Sequence, residues 1–137
     1  MNSINPTSFF NKDEHIAVIG VSKNTKKFGR IVFDTFKKKG YRVVPVNPLL
    51  KKTGEDICYN SVESLPDNVT KALILTKPEQ TDKILYELAK KGINDVWIQQ
   101  MSNSKNSFSI ADELKINAVF KHCCLMFAEP VIPIVNM

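Results

Sequence analysis

The sequence predicts a single α/β domain in which a parallel sheet lies between two layers of helices. Three observations predict it. Short β-branched runs alternate with amphipathic helical segments from one end to the other, and each early run stops at glycine or Asn-Pro. At 137 residues, the chain matches one domain by the usual measure of roughly 150 residues each. Alternating strands and helices of this length form right-handed βαβ units around a parallel sheet.

The elements follow in order. His15 to Gly20 (HIAVIG) is an apolar run closed by glycine, the pattern of a strand buried on both faces. Phe28 to Lys39 places Phe28, Ile31, Val32, Thr35 and Phe36 along one helical face, with Gly40 set to close its end. Tyr41 to Val46 (YRVVPV) is a second strand, stopped by Asn47-Pro48. Leu49 to Asp67 is rich in loop residues, with Ile57 to Tyr59 a short strand and Val62 to Leu65 one helical turn. Lys71 to Thr76 (KALILT) is the next strand, followed by a helix from Glu79 to Lys91 with Ile84, Leu85, Leu88 and Ala89 inward. Thr76 and Glu79 have the spacing of a capping box. The strand Asp95 to Gln99, a helix at Ser109 to Lys115 and a strand at Ala118 to Lys121 complete the series. Counting the Ile57 segment gives a doubly wound, Rossmann-like sheet of order 3-2-1-4-5-6 in a three-layer α/β/α arrangement. The whole chain, 1–137, reads as one domain with its core at about 14–129.

Composition narrows the function classes. The chain is 43% hydrophobic and 24% charged, which is ordinary for a globular protein and not for a disordered one. A net charge of +5 suits a polyanionic partner. Lys37 to Lys39 and Lys90-Lys91 each close a helix before glycine, where cations complement the helix dipole. Arg30 and Arg42 are the only arginines, and lysine is a poor substitute in bidentate base readout, so no nucleic-acid partner is expected. No charged n-region precedes an apolar segment at the start, and no run reaches the length of a membrane helix. Three cysteines, Cys58, Cys123 and Cys124, are an odd count that fits a reducing compartment. A cytoplasmic location, with no membrane association, is the expectation.

In an open parallel sheet, ligands bind beyond the carboxyl ends of the strands, where the strand order reverses. The walls of that crevice are the loops Gly20 to Gly29, Asn47 to Lys51 and Thr76 to Pro78. The first reads G-V-S-K-N-T-K-K-F-G, combining glycines, a hydroxyl and lysines at a helix N-terminus. Such a loop favours phosphate. It is neither G-x-G-x-x-G nor a P-loop, since Ser22 and Thr25 stand where the dinucleotide fingerprint has glycine. An Asp or Glu for the ribose hydroxyls of NAD is missing after the second strand. Asn47, with Lys51-Lys52 nearby, tolerates an extra ribose phosphate. Both NADP and coenzyme A meet that requirement.

The stretch V-I-G-V-S-K-N-T-K-K-F-G-R-I-V, followed by G-Y-R-V-V-P-V-N-P, resembles the family of small CoA-binding domains. The same domain is similar to the nucleotide-binding part of succinyl-CoA and ADP-forming acetyl-CoA synthetases. Gly20, Ser22, Lys27, Gly29 and Pro45 to Pro48 match its pattern in order and spacing, with Val21 in place of alanine. Cys58 to Ser61, Gly92 to Gln99 and His122 to Phe127 resemble further family segments, so the likeness spans about Glu14 to Glu129.

The resemblance implies a coenzyme A site. Gly20, Val21 and Ser22 pass the pyrophosphate, Lys27 neutralises it with Lys26 in reserve, and Phe28-Gly29 opens the helix. Asn47 and Pro48 border the adenosine, Thr76, Lys77 and Pro78 line the pantetheine arm, and Gln99 and Gln100 reach toward the thiol. Cys123 faces the ligand if the last strand ends there, where a mixed disulfide with the coenzyme thiol needs thiolate and access. The alternative for both cysteines is a small buried apolar role. The expected function is a binding module for CoA or acyl-CoA, as carrier, sensor or thiol protector, with no catalytic residues. An NADP-linked small oxidoreductase is the alternative.

The remaining features read as structural. His122 beside two cysteines cannot wrap a tetrahedral ion without a second ligand pair. His15 begins a strand, and Trp97 has apolar strand neighbours that mark it as core. The apolar C-terminal stretch, broken by Pro130 and Pro133, reads as extended and admits a homodimer.

Overall fold

The computed structural model describes residues 5–130. Its elements in chain order are α1 (Pro6–Phe9), β1 (His15–Ile19), α2 (Phe28–Lys38), β2 (Arg42–Val46), β3 (Lys52–Thr53), β4 (Asp56–Ile57), β5 (Val69–Ile74), α3 (Pro78–Lys91), β6 (Asp95–Ile98), α4 (Ser107–Glu113) and β7 (Asn117–Val119). A single 3-10 turn follows at Cys124–Met126. The sheet has five parallel strands in the order β2-β1-β5-β6-β7. The expected Rossmann-like α/β architecture is the one observed, and the strand order reverses between β1 and β5.

Because successive strand residues face opposite sides, each central strand feeds two cores. Ile16 and Val18 of β1 join Leu73, Trp97 and Val119 on the side covered by α1 and α2. Ala17 and Ile19 join Ala72, Ile74, Val96 and Ile98 on the side covered by α3 and α4. Leu85 and Leu88 of α3 are fully buried there, with Ile84 and Ala89 packed partly against them. That is the inward face expected from periodicity.

Three expectations are corrected, and one element is added. Ile57 does not form a third strand of the sheet: it pairs with Lys52 in a two-stranded antiparallel hairpin, β3-β4. Gly54, at φ +64°, makes the tight turn that folds this segment on itself. Only Tyr59 continues beside the sheet, through one bridge to Val46. On α2, the buried stripe is Gly29, Val32, Phe33 and Phe36, whereas Phe28 and Ile31 are 45% and 41% exposed. The rotation follows from Gly29, which must meet the end of β1. The capping box at Thr76 does not form: Pro78 starts α3 one residue later, Lys77 is its N-cap, and the Thr76 and Thr81 hydroxyls lie 2.9 Å apart instead. Finally, α1 extends the fold before residue 14. Its Phe9 is fully buried, and the Lys71 ammonium donates to the Phe9 carbonyl while ion-pairing with Glu14 at 2.9 Å.

The C-terminal segment docks on the same side as α1 up to residue 130. Lys39 donates to the Ala128 carbonyl, and the Glu129 N–H donates to the Tyr41 hydroxyl. The remainder of that segment, 131–137, lies outside the described residues, and so does any dimer contact it would make. Among the described residues no helix is long and apolar enough to cross a membrane.

Candidate functional site

A cleft of about 820 Å³ opens at the carboxyl ends of β1 and β5. Its volume falls in the usual range for small-molecule sites. One wall is the loop after β1. Gly20 has φ +105°, and a β-carbon on it would lie 3.1 Å from the Leu75 carbonyl carbon. A side chain there would be strained by the backbone shape and would crowd the Leu75 backbone. At the other end of the loop, a β-carbon on Gly29 would overlap the Gly20 carbonyl oxygen. The two glycines therefore let the start of α2 rest directly on the end of β1. Between them, Ser22 Oγ accepts from the Asn24 N–H, and Asn24 Oδ1 accepts from the Lys26 N–H. These side-chain turns shape the loop without an intervening strand or helix.

Asn47 locks this loop from the side of β2. Its Nδ2 donates to the Val21 carbonyl at 2.7 Å, and its Oδ1 accepts from the Leu49 N–H at 2.8 Å. An aspartate would turn the first of these contacts into two facing acceptors. Asn47→Asp is expected to lower stability by about 2 kcal/mol, the cost of an unsatisfied, partly buried polar contact. Ligand binding should fall in the same variant, and thermal melts with and without ligand measure both effects.

Two helix N-termini point into the cleft. Lys27 is the N-cap of α2 and Lys77 the N-cap of α3, and neither terminus has a side-chain cap. In α2 the first helical bond runs from the Ile31 N–H to the Lys27 carbonyl. The N–H groups of Phe28, Gly29 and Arg30 precede it. Such groups, with the helix dipole and an adjacent ammonium, form a strong anion-binding arrangement.

The structure brings nine of the residues singled out from sequence to this cleft: Gly20, Ser22, Lys27, Phe28, Gly29, Asn47, Pro48, Thr76 and Lys77. Val21 is fully buried behind the wall, and its carbonyl serves Asn47. Lys26 is exposed outside the lining, as is Gln100, while Pro78 is half-buried as the first residue of α3. Gln99 is 3% exposed and points to the other side of the sheet end, donating through Nε2 to Cys123 Sγ at 3.2 Å and accepting from the Cys124 N–H through Oε1. Cys123 is thereby held half-buried away from the lining. Burial pushes the Cys124 thiol well above its ordinary pKa, which removes it as a nucleophile near neutral pH. Trp97, expected as core, is fully buried and donates to the His122 carbonyl.

The opposite wall was not foreseen from sequence. It consists of Asn60, Ser61 and Val62 on the loop after β4, facing Glu79, Gln80, Lys83, Ile84 and Glu87 on α3. Polar residues at helical spacing give the same pattern whether they meet solvent or a cleft. The faint signal was Asn60-Ser61, which belongs to a segment resembling the family but suggested no role. Lys51 and Lys52, expected near the ribose, do not line the cleft.

Residues 14–129 match the family model described as the CoA binding domain. The chain belongs to this family. Over 91 residues it is 36% identical to the alpha subunit of the acetate–CoA ligase [ADP-forming] II of Pyrococcus furiosus, covering 66% of this chain and 20% of the ligase subunit. The CoA-binding domain is thus homologous to the CoA-binding region of such ligases, and it spans between 11% and 20% of the length of those it matches. The protein YneT of Bacillus subtilis is 21% identical over 120 residues, 88% of each chain. In three dimensions the domain resembles a conserved hypothetical protein from Pyrococcus furiosus, with a TM-score of 0.77, 28% identity and coverage of 80% of this chain and 95% of that one. The NADP alternative finds no support among these relatives.

Proposed function

We propose that this CoA-binding domain holds coenzyme A or an acyl-CoA in the β1–β5 cleft and serves as a carrier or sensor without catalysis of its own. One observation carries the reading: two helix N-termini, each with a lysine N-cap and no side-chain cap, open onto the same cleft. A pyrophosphate there meets Lys27, Lys77 and the free N–H groups of α2, with Ser22 and Gly20 beside it. Asn47 and Pro48 flank the adenosine. The pantetheine arm leaves over Thr76, Lys77 and Pro78 toward the exposed Gln100 after β6, away from Lys26 at the loop tip. His15, at the amino end of β1, and His122, packed against Trp97 and Phe127, both lie outside the cleft lining. Neither is placed to carry a phosphoryl group for a ligand in the cleft. Three free thiols fit a reducing, cytoplasmic setting.

Thermal shift with coenzyme A, acetyl-CoA, NADP and NAD at equal concentration tests the reading. A ligand at a hundred times its Kd adds about 2.7 kcal/mol of stability, a shift of several degrees. Coenzyme A and acetyl-CoA are expected to raise the melting temperature, and Lys27→Ala to remove most of the rise. A shift with NADP alone would reject the proposal. Binding of free coenzyme A but not of acetyl-CoA would point instead to protection of the thiol.

A further inference from the structure

All five strands of the sheet run parallel, so the segments that follow them meet at one end of the molecule. These are 20–27, 47–51, 75–77, 99–106 and 120–123. Lys23, Lys26 and Lys27 lie in the first, and Lys51, Lys77, Lys105 and Lys121 in the others, one to each. The same segments contain no aspartate or glutamate. Every one of these lysines is exposed, and among the described residues none is ion-paired. The segments leading into the strands, at the opposite end, carry Asp13, Glu14, Glu63 and Asp67 against Lys12, Lys39 and Lys115. Positive charge is thus polarised along the strand direction.

A ligand in the cleft accounts for only part of this charge. Lys27 and Lys77 line the cleft, whereas Lys23, Lys26, Lys51, Lys105 and Lys121 do not. The same end carries apolar side chains in the open. Leu49 and Met101, in the segments after β2 and β6, are 89% and 87% exposed. Phe28 and Phe108, in the first turns of α2 and α4, are half-exposed. Met101 has φ +76°, a backbone shape that costs energy for residues other than glycine. The fold gains no burial from that side chain in return.

We propose that this carboxyl end is a docking surface for an anionic lipid bilayer. The lysines face acidic headgroups, while Leu49, Met101 and Phe108 enter the boundary between headgroups and acyl chains. Surfaces that combine lysine with protruding apolar groups settle in that boundary, and each lysine strengthens partition by about fivefold. Nucleic acid fits this end less well. Its segments hold neither arginine for base readout nor tyrosine or tryptophan for stacking. A second copy of the chain would set lysines against lysines. Docking of this kind needs no membrane-spanning helix, and none is found among the described residues. It departs from the expectation of no membrane association, which rested on the length of apolar runs and not on surface charge. It also requires no ligand in the cleft.

The test is co-sedimentation of the ligand-free chain with vesicles of phosphatidylcholine alone and of phosphatidylcholine and phosphatidylglycerol in equal parts. Partition into the anionic vesicles is expected to exceed that into the neutral ones by more than about tenfold, and to weaken as salt screens the lysines. Lys105→Gln combined with Lys121→Gln, both outside the cleft, should lower partition by about thirtyfold. Met101→Gly should lower it several-fold and leave the melting temperature equal or higher, because glycine accepts that φ. Any thermal shift with coenzyme A should be the same in these variants as in the wild type, which separates this surface from the cleft. Absence of partition into anionic vesicles, or partition undiminished in the double variant, would overturn the docking surface and leave the coenzyme A reading untouched. Tighter binding to a single-stranded RNA oligonucleotide, unaffected by Met101→Gly, would assign this end to nucleic acid and overturn it as well.

Discussion

Gly29→Ala should abolish ligand binding and destabilise the domain by about 3 kcal/mol, the upper range for overpacking a close contact. A melting temperature lower by ~10 °C is the expected readout for a chain of this size. The added carbon would overlap the Gly20 carbonyl oxygen, which is backbone and cannot swing aside as a long side chain would. Relief requires either α2 to lift from the sheet or the β1 end to move. The first strips Val32, Phe33 and Phe36 of their core contacts. The second disturbs the bonds that tie the start of the loop to β2, from the Gly20 and Val21 N–H groups to the Val46 carbonyl. In either case the α2 N-terminus leaves its position over the cleft. An alanine variant that keeps both its melting temperature and its ligand-induced shift would show that the loop is not the rigid element described here.

Trp97→Ala should cost about 4 kcal/mol, in the range for removing a large aromatic from a core, and yet leave the site intact. Trp97 is fully buried on β6, with Phe9, Phe10 and Phe127 around it at ring-centroid distances of 5.4, 4.8 and 5.4 Å. Its indole N–H donates to the His122 carbonyl, so truncation opens a cavity and leaves an acceptor without its donor. It projects to the α2 side of the sheet, whereas α3 and the loop at Asn60 to Val62 lie on the other. Circular dichroism melts should show the loss of stability, and titration at a temperature where the variant is folded should show ligand affinity within a few-fold of the wild type. Affinity that falls in proportion to stability would mean that the two faces of the sheet are coupled.

The Gly29 and Trp97 variants also mark what was legible in the sequence. The alternation of HIAVI and KALI residues between two cores could be read from the strands themselves, because burial on both faces leaves a continuous apolar run. That the loop and Asn47 border the cleft was legible because the loop follows the first strand and Asn47-Pro48 ends the second, at the carboxyl ends where such a cleft forms. The rotation of α2 was not, since Phe28 and Ile31 are as apolar as the residues that are buried. Only the tertiary approach of Gly29 to Gly20 decides which stripe faces inward. The α3 wall escaped notice for a related reason: its polar residues recur at helical spacing whether they meet solvent or a cleft, and only the approach of the Asn60–Val62 loop makes it a wall. Ile57 misled because a β-branched residue suits a hairpin as well as a central strand.

Both described ends of the chain arrive on one side of the sheet. Phe9, held by Lys71, and Ala128, held by Lys39, pack into the core around Trp97, while the cleft is walled on the other side by α3. A linker joined at residue 5 or residue 130 would therefore leave from the layer of α1 and α2, on the opposite face of the sheet from α3.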